Sequence, residues 1–160
     1  MPIADTGETM PRRQLDFRDF ETLTAEVERL KRGCTKAGSW DLGQVCDHLG
    51  RSMQASLDGF KEKAPWLLRV FLAPIFKRRI FKTRVMPAGI KGPPSLMPGP
   101  QVDETTAVKY FDAQLARVRD NAGSFQAHPF FGKLTNEEWK QFHLMHASLH
   151  VGFLTPREGT

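Results

Sequence analysis

The amino-acid sequence predicts an all-α protein in which four amphipathic helices pack as a four-helix bundle, with a long crossover between helices two and three. Two observations carry this prediction. Apolar residues recur at three- and four-residue steps in four separate segments, and each such stripe must be buried against a partner. The chain has 160 residues, of which 40% are hydrophobic, and this suits one compact domain. We expect a flexible N-terminus over residues 1–14, a single domain over 15–156 and a tail over 157–160.

Helices one and two are each marked by an apolar stripe and by residues that start or stop a helix. Helix one is expected to stop at Gly33. Helix two is expected to begin at Asp41, where Gln44 completes a capping-box pattern, and to end near Gly59. The stripe of helix one is Phe17, Phe20, Leu23, Val27 and Leu30, and that of helix two is Leu42, Val45, Leu49, Met53, Leu57 and Phe60.

Helices three and four carry the same kinds of signal. Asp103 is suited to cap helix three, which is expected to end near residues 121–123. Thr135 and Glu138 form a capping box at the start of helix four, which must stop before Pro156. The stripe of helix three is Ala107, Phe111, Leu115 and Val118, and that of helix four is Trp139, Phe142, His146, Leu149 and Phe153.

The connector between helices two and three, residues 61–102, has two unlike parts. Residues 87–100 contain five prolines and three glycines, a composition that blocks helices and sheet ladders, so an extended segment over the bundle is expected. In residues 64–84, apolar residues are followed by a basic cluster, and Pro65 and Pro74 are expected to start two short helices. Eight basic residues against one acid, Glu62, give residues 61–84 a charge of +7.

The net charge of the whole chain is +5, so the residues outside that basic segment sum to −2. A basic balance raises nucleic acid or an anionic membrane as partners. No nucleic-acid partner is expected, because the charge is confined to the connector and no nucleic-acid-binding motif is recognisable. The connector is interpreted either as a basic amphipathic element on a membrane surface or as a packed crossover with its cations in water, and we favour the packed crossover.

Composition also indicates where in the cell the protein is expected. No apolar segment approaches the roughly 20 residues that span a bilayer, and no signal-peptide core follows Arg12 and Arg13. Two cysteines, Cys34 and Cys46, are too few for a disulfide framework. These features predict a cytoplasmic protein without a transmembrane segment. Homodimerisation is compatible with the aromatic content, although no surface is specified.

The histidines carry the clearest chemical signal. Helix four contains His143, His146 and His150, whose spacing places all three on one side of the helix. Two imidazoles at this spacing can hold one metal ion, and His48 on helix two could supply a third ligand. Imidazole suits zinc, nickel, copper or iron. Spacing leaves open whether His143 or His146 accompanies His150, and whether the histidines form a polar seam without metal.

Three segments together resemble the DinB-like superfamily. They are the opening LDFRDFETLTAEVERL, then WDLGQVCDHLGRS at 40–52, and HPFFGKLTNEEWKQFHLMHASLHVGFL at 128–154. The chain looks closest to an uncharacterised family, a domain of unknown function, with an HPFFG(K)LT…EW motif and a terminal HAxxH helix. The resemblance covers about residues 15–156 and implies a four-helix bundle with a long crossover.

The same resemblance implies a divalent metal ion, zinc, nickel or iron, held by one histidine of the second helix and an HxxxH pair of the last. In this sequence those ligands are His48, His146 and His150. His143 then becomes a neighbour of the site. The residues expected to line a pocket beside the metal are His128, Phe131, Trp139 and His143.

The leading hypothesis is a metal-dependent enzyme that activates a water or a low-molecular-weight thiol against a small-molecule substrate, as a thiol S-transferase or a hydrolase. Basic residues of the connector could attract an anionic cosubstrate. Asp47, Glu137 and Glu138 are candidate general bases, with ordinary surface or capping roles favoured for each. One alternative is a metal-free helical-bundle interaction protein of unknown role. Another is peripheral attachment to membranes through the basic connector.

Overall fold

The computed structural model describes residues 11–157. This part of the chain is mainly helical, as predicted, with six α-helices and one small two-stranded sheet. The first ten residues of the expected flexible N-terminus and the last three of the tail lie outside the described residues. The elements are α1 (Phe20–Lys31), β1 (Cys34–Lys36), α2 (Leu42–Asp58), α3 (Trp66–Phe71), α4 (Ala73–Thr83), a 3₁₀ turn (Pro94–Leu96), α5 (Glu104–Asp120), α6 (Asn136–Val151) and β2 (Leu154–Pro156).

Helices α1, α2, α5 and α6 correspond to predicted helices one to four, and side-chain caps start each of them. The capping boxes at Asp41 and Thr135 are confirmed, and Asp103 accepts a hydrogen bond from the Thr106 amide. Helix α1 starts later than its apolar stripe, because Asp19 caps the amide of Thr22. Phe17 is buried ahead of that cap. Local capping chemistry therefore set the starts of the four long helices.

One continuous apolar core joins these four long helices. All four long helices contribute to it, among others through Leu23, Leu49, Phe111 and Val151. The predicted stripe of helix four lies elsewhere, because Trp139 and Phe142 belong to a second apolar cluster. The closest approach joins α2 and α5 at Gly50, where a Cβ atom would lie 2.6 Å from the Tyr110 ring. Helix α6, which carries three histidines, packs against the other long helices through this core.

The small sheet was not predicted. Strands β1 and β2 pair antiparallel, with Cys34 opposite Pro156 and Lys36 opposite Leu154. The predicted last stripe ran to Phe153, whereas α6 ends at Val151 because the following residues leave the helix to pair with β1. At the start of the described chain, Arg13 donates from its amide to the Gly152 carbonyl at 2.8 Å.

The connector forms the two expected short helices. Pro65 precedes α3, and Pro74 lies in the first turn of α4. Helix α4 is packed through Ala73 and Ile80, and Ile80 belongs to a second apolar cluster with Met86, Leu134, Trp139, Phe142 and Met145. In α3 no residue is buried. The prediction of a packed crossover is therefore confirmed for α4 and wrong for α3. Among the helices of residues 11–157, none combines the length and apolar character that crossing a bilayer requires.

Candidate metal centre

Three histidines from two helices meet beside the N-terminal half of α2. The Nε2 atom of His146 lies 3.2 Å from that of His48 and 3.1 Å from that of His150. One nitrogen from each ring lies within 4.8 Å of the other two, so the three side chains could hold a metal ion. Two imidazole nitrogens bound tetrahedrally to one zinc ion lie about 3.3–3.4 Å apart, close to the two shorter separations.

His48 is oriented by the connector. Its Nδ1 atom lies 2.8 Å from the carbonyl oxygen of Leu96, in the 3₁₀ turn. A carbonyl oxygen only accepts hydrogen bonds, so Nδ1 carries the proton and donates it. The Nε2 atom of His48 is then unprotonated, and its lone pair faces the other two histidines. A backbone acceptor behind an imidazole is the usual arrangement that orients a metal ligand.

The proton positions of the group also suit a cation. The Nε2 atom of His146 can either donate a proton or accept one, so hydrogen bonds within the group satisfy only one of its two contacts at good geometry. The Nδ1 atom of His146 is buried and has no hydrogen-bond partner within residues 11–157. No described acceptor therefore holds the proton of this ring on Nδ1. A cation is the species that all three lone pairs can share.

Burial keeps these rings neutral. Loss of solvation lowers the pKa of His150 to about 3, and it lowers the pKa of His146 well below its usual range. It also lowers the pKa of His48, against the opposing hydrogen bond to Leu96. Neutral imidazole is the form that binds metals. His146 and His150 nevertheless remain partly exposed.

Trp40 covers part of this group and was missed as a site residue. Its ring is stacked on His150, with the ring centres 5.3 Å apart and the planes 22° apart. It is tilted against His48 at 4.9 Å. The residue directly precedes the Asp41 cap of α2, so the start of that helix places it. The sequence could have indicated Trp40 as a site residue, because it is an aromatic residue directly before a helix that carries a candidate ligand.

The four residues predicted to line a pocket lie together in a neighbouring aromatic group. Trp139 is stacked on His143 at 5.2 Å, and His128 is stacked on Phe131 at 4.7 Å. The ring of Phe142 packs against both His128, at 4.9 Å, and His146, at 5.7 Å. Phe142 thus connects this aromatic group to the three-histidine group.

One ring nitrogen of each histidine in the aromatic group has a protein partner. Ser56 donates its hydroxyl proton to the Met53 carbonyl at 2.7 Å, so His143 Nε2 donates to the Ser56 oxygen at 2.9 Å. The Nδ1 atom of His128 accepts from the amides of Phe130 and Phe131, each at 3.0 Å. Burial lowers the pKa of both histidines to about 3. These are the contacts of structural histidines.

The three candidate general bases have other partners. Asp47 pairs with Arg51 at 2.7 Å, and Glu137 accepts from the Gln141 amide at 3.0 Å. Glu138 belongs to the capping box of α6 and pairs with Lys77 of α4 at 2.9 Å. These contacts match the capping and surface roles that the sequence favoured for the three acids.

A family model described as a protein of unknown function, DUF1569, matches residues 9–157. The chain belongs to this family. The match includes all three histidines of the candidate centre and the whole connector. Comparison with curated proteins and with solved structures returned no match.

Proposed function

We propose that this DUF1569 protein is a divalent-metal-dependent enzyme whose ion is held by His48, His146 and His150. The observation that carries the proposal is the convergence of three neutral Nε2 atoms, one of them oriented by the Leu96 carbonyl. Three protein ligands are typical of catalytic sites, whereas structural zinc sites usually have four. Within the same proposal, α1, α2, α5 and α6 form a four-helix bundle of the DinB-like type.

The proposed chemistry is activation of a nucleophile at neutral pH. A divalent ion bound to three neutral ligands keeps its full charge and lowers the pKa of a water or a thiol that reaches it. His48 is held in the ligand tautomer by Leu96, and Trp40 fixes the ring plane of His150 by stacking. In this proposal the substrate reaches the ion beside the partly exposed His146 and His150, while His48 is buried.

The proposed reaction class is transfer of a low-molecular-weight thiol to an electrophile, or hydrolysis. Both need an activated nucleophile and neither needs redox chemistry of the ion. None of Asp47, Glu137 and Glu138 makes a hydrogen bond to the three histidines within the described residues. In this proposal the nucleophile therefore loses its proton to solvent or to the substrate rather than to a protein carboxylate.

The first test is metal binding. We expect the purified protein to bind one equivalent of Zn²⁺ or Ni²⁺ by calorimetry, and His146→Ala to weaken binding at least about 100-fold, since it removes a direct ligand. His143→Gln is the matched control, because His143 lies on the same helix and bonds to Ser56 instead. Equal metal binding by wild type and His146→Ala, or none by wild type, would refute the site.

The second test separates the enzyme from a merely metal-binding protein. The zinc- and nickel-loaded forms are assayed with a panel of low-molecular-weight thiols against a chromogenic electrophile, and with ester and amide substrates in water. Turnover that disappears in His146→Ala but persists in His143→Gln supports catalysis. Stoichiometric metal without turnover on any of these substrates would contradict the proposed reaction classes while leaving the metal site intact.

A further inference from the structure

Helix α3 and the start of α4 form an exposed apolar surface. Its members each expose between 42% and 67% of their surface. Such a concentration of large apolar residues in one stretch is unusual for a surface that faces only water. We call it the α3 surface, and it consists of Trp66, Leu67, Leu68, Val70, Phe71, Leu72 and Ile75.

Helix α3 borders an open pocket of about 290 Å³. Trp66, Arg69 and Val70 line this pocket together with the loop at residues 130–132. The approach to that loop is anchored by the Ala64 amide, which donates to the Pro129 carbonyl at 3.0 Å. Apolar side chains are distributed around most of the helix circumference rather than along one stripe. A helix that is apolar all round is normally enclosed by an apolar medium.

Cations surround this apolar surface. Lys61 and Lys63 precede it, and Arg78, Arg79 and Lys82 follow it on α4, all of them exposed. These five cations form no ion pair within residues 11–157, whereas Lys77 pairs with Glu138 and Arg84 with Asp16. At about 100° per residue, the three α4 cations lie within about 60° of Ile75, on the side opposite the buried Ala73 and Ile80.

We propose that the α3 surface and its five cations bind the surface of an anionic phospholipid bilayer. Apolar side chains of an interfacial helix enter the boundary between headgroups and acyl chains, and lysines and arginines contact the lipid phosphates. A fluid lipid phase can cover apolar side chains that point in several directions around α3, whereas a protein groove covers one stripe. The binding is peripheral, because α3 has six residues and lies in the interface rather than across it.

A second copy of the chain fits the surface less well. Most dimers are two-fold symmetric, so the same patch would face itself across the interface. The α4 cations would then approach those of the other copy, and like charges that lose water repel each other. The charge on this surface thus favours an anionic partner over self-association.

The test is flotation with vesicles made of equal parts phosphatidylglycerol and phosphatidylcholine, and with vesicles of phosphatidylcholine alone. We expect wild type to float with the anionic vesicles, and binding to fall at least about 10-fold in the combined variant Trp66→Ser, Phe71→Ser and Ile75→Ser. The combined variant Arg78→Gln, Arg79→Gln and Lys82→Gln is expected to lose binding similarly and to weaken the dependence of binding on salt, because Lys61 and Lys63 remain. All replaced residues are exposed, and circular dichroism checks that each variant is folded.

Matched controls lie elsewhere on the surface. Ile90→Ser removes a residue that is 69% exposed outside the α3 surface, and Lys31→Gln with Lys109→Gln removes exposed charge from α1 and α5. These variants should float like wild type. The proposal is overturned by equal binding to both vesicle types, by no binding, or by loss of flotation in the controls. It is likewise overturned if sedimentation equilibrium shows a dimer that the Trp66→Ser variant abolishes.

Discussion

The three-histidine group and the aromatic group share helix α6, yet they satisfy their ring nitrogens in opposite ways. His143 donates to Ser56, and His128 accepts from two backbone amides. Around His146, three nitrogens face one another instead, with separations of 3.1 and 3.2 Å. A buried imidazole that already has protein partners needs nothing more, whereas facing lone pairs need a shared cation or proton.

The difference shows that histidine count and burial do not by themselves indicate a ligand. Burial lowers the pKa of His143, His128 and His150 alike, to about 3. The distinguishing feature is the partner of each ring nitrogen. Helix α6 therefore combines a structural histidine, His143, with two candidate ligands that lie about one and two turns further along.

The largest expected effect tests the structural role of the aromatic group. Trp139 is fully buried and contacts His143, His128 and Phe60. Trp139→Ala should lower the free energy of unfolding by about 3–5 kcal/mol, because it leaves a cavity in a packed core. His150→Ala, at a partly exposed site, should cost less than about 1.5 kcal/mol in metal-free protein.

Urea unfolding in the presence of a chelator measures both changes. If His150→Ala proved as destabilising as Trp139→Ala, the three-histidine group would be part of the structural core, and the contrast between the two groups would fail. Addition of Zn²⁺ should stabilise wild type and Trp139→Ala but not His150→Ala, since only a native-state ligand shifts unfolding.

The next effect is the loss of folding stability at low pH. The folded-state pKa of His143 is about 3, below its unfolded value of about 6.5. Below pH 6.5 the unfolded chain therefore binds a proton that the native chain does not, and stability is lost as the pH falls. The loss approaches about 1.4 kcal/mol per pH unit for each such histidine. His143→Gln should reduce this dependence of the free energy of unfolding on pH by about the contribution of one histidine.

Urea unfolding of metal-free protein at several pH values between 7 and 5 measures that slope. Comparing the slopes of wild type and variant removes any constant loss of stability that the substitution causes. His128→Phe serves as the second variant, because the pKa of His128 is also about 3 in the folded state. Slopes identical to wild type in both variants would show that these histidines do not stay neutral in the folded protein.

The smallest expected effect is at Trp40. Trp40→Leu should weaken Zn²⁺ binding by about 2- to 10-fold, corresponding to the roughly 0.5–1.5 kcal/mol of a lost aromatic contact, because the ring stacks on His150 but binds no metal itself. Calorimetry measures the affinity. A loss as large as that of His146→Ala would place Trp40 among the determinants of the site's geometry, and an unchanged affinity would leave it as a cover alone.

Much of the helical pattern could be predicted because its causes are local. Asp41 and Thr135 act on amides three residues away, and an HxxxH pair shares one helix face over a single turn. Local features of this kind predicted the four long helices, the two short connector helices and the candidate ligands. Resemblance, rather than spacing, had favoured His146 over His143 as the partner of His150.

The rest depended on contacts between distant positions. The β1–β2 pairing ended α6 before Phe153, and the preference for a packed crossover failed at α3 because no part of the described body covers it. Periodicity shows which residues are apolar, not whether a neighbour exists to bury them. The sequence pattern therefore could not predict that Trp66 and Phe71 are exposed.

The sequence by itself determined the helices, their caps and the supply of imidazoles, since these follow from bonds within a turn or two of chain. Tertiary structure decided what each imidazole faces. His48 meets a carbonyl 48 residues away and a second histidine 98 residues away, while His143 meets Ser56. Because a ring nitrogen becomes a ligand or a structural donor according to the atom opposite it, only packing could separate the two groups.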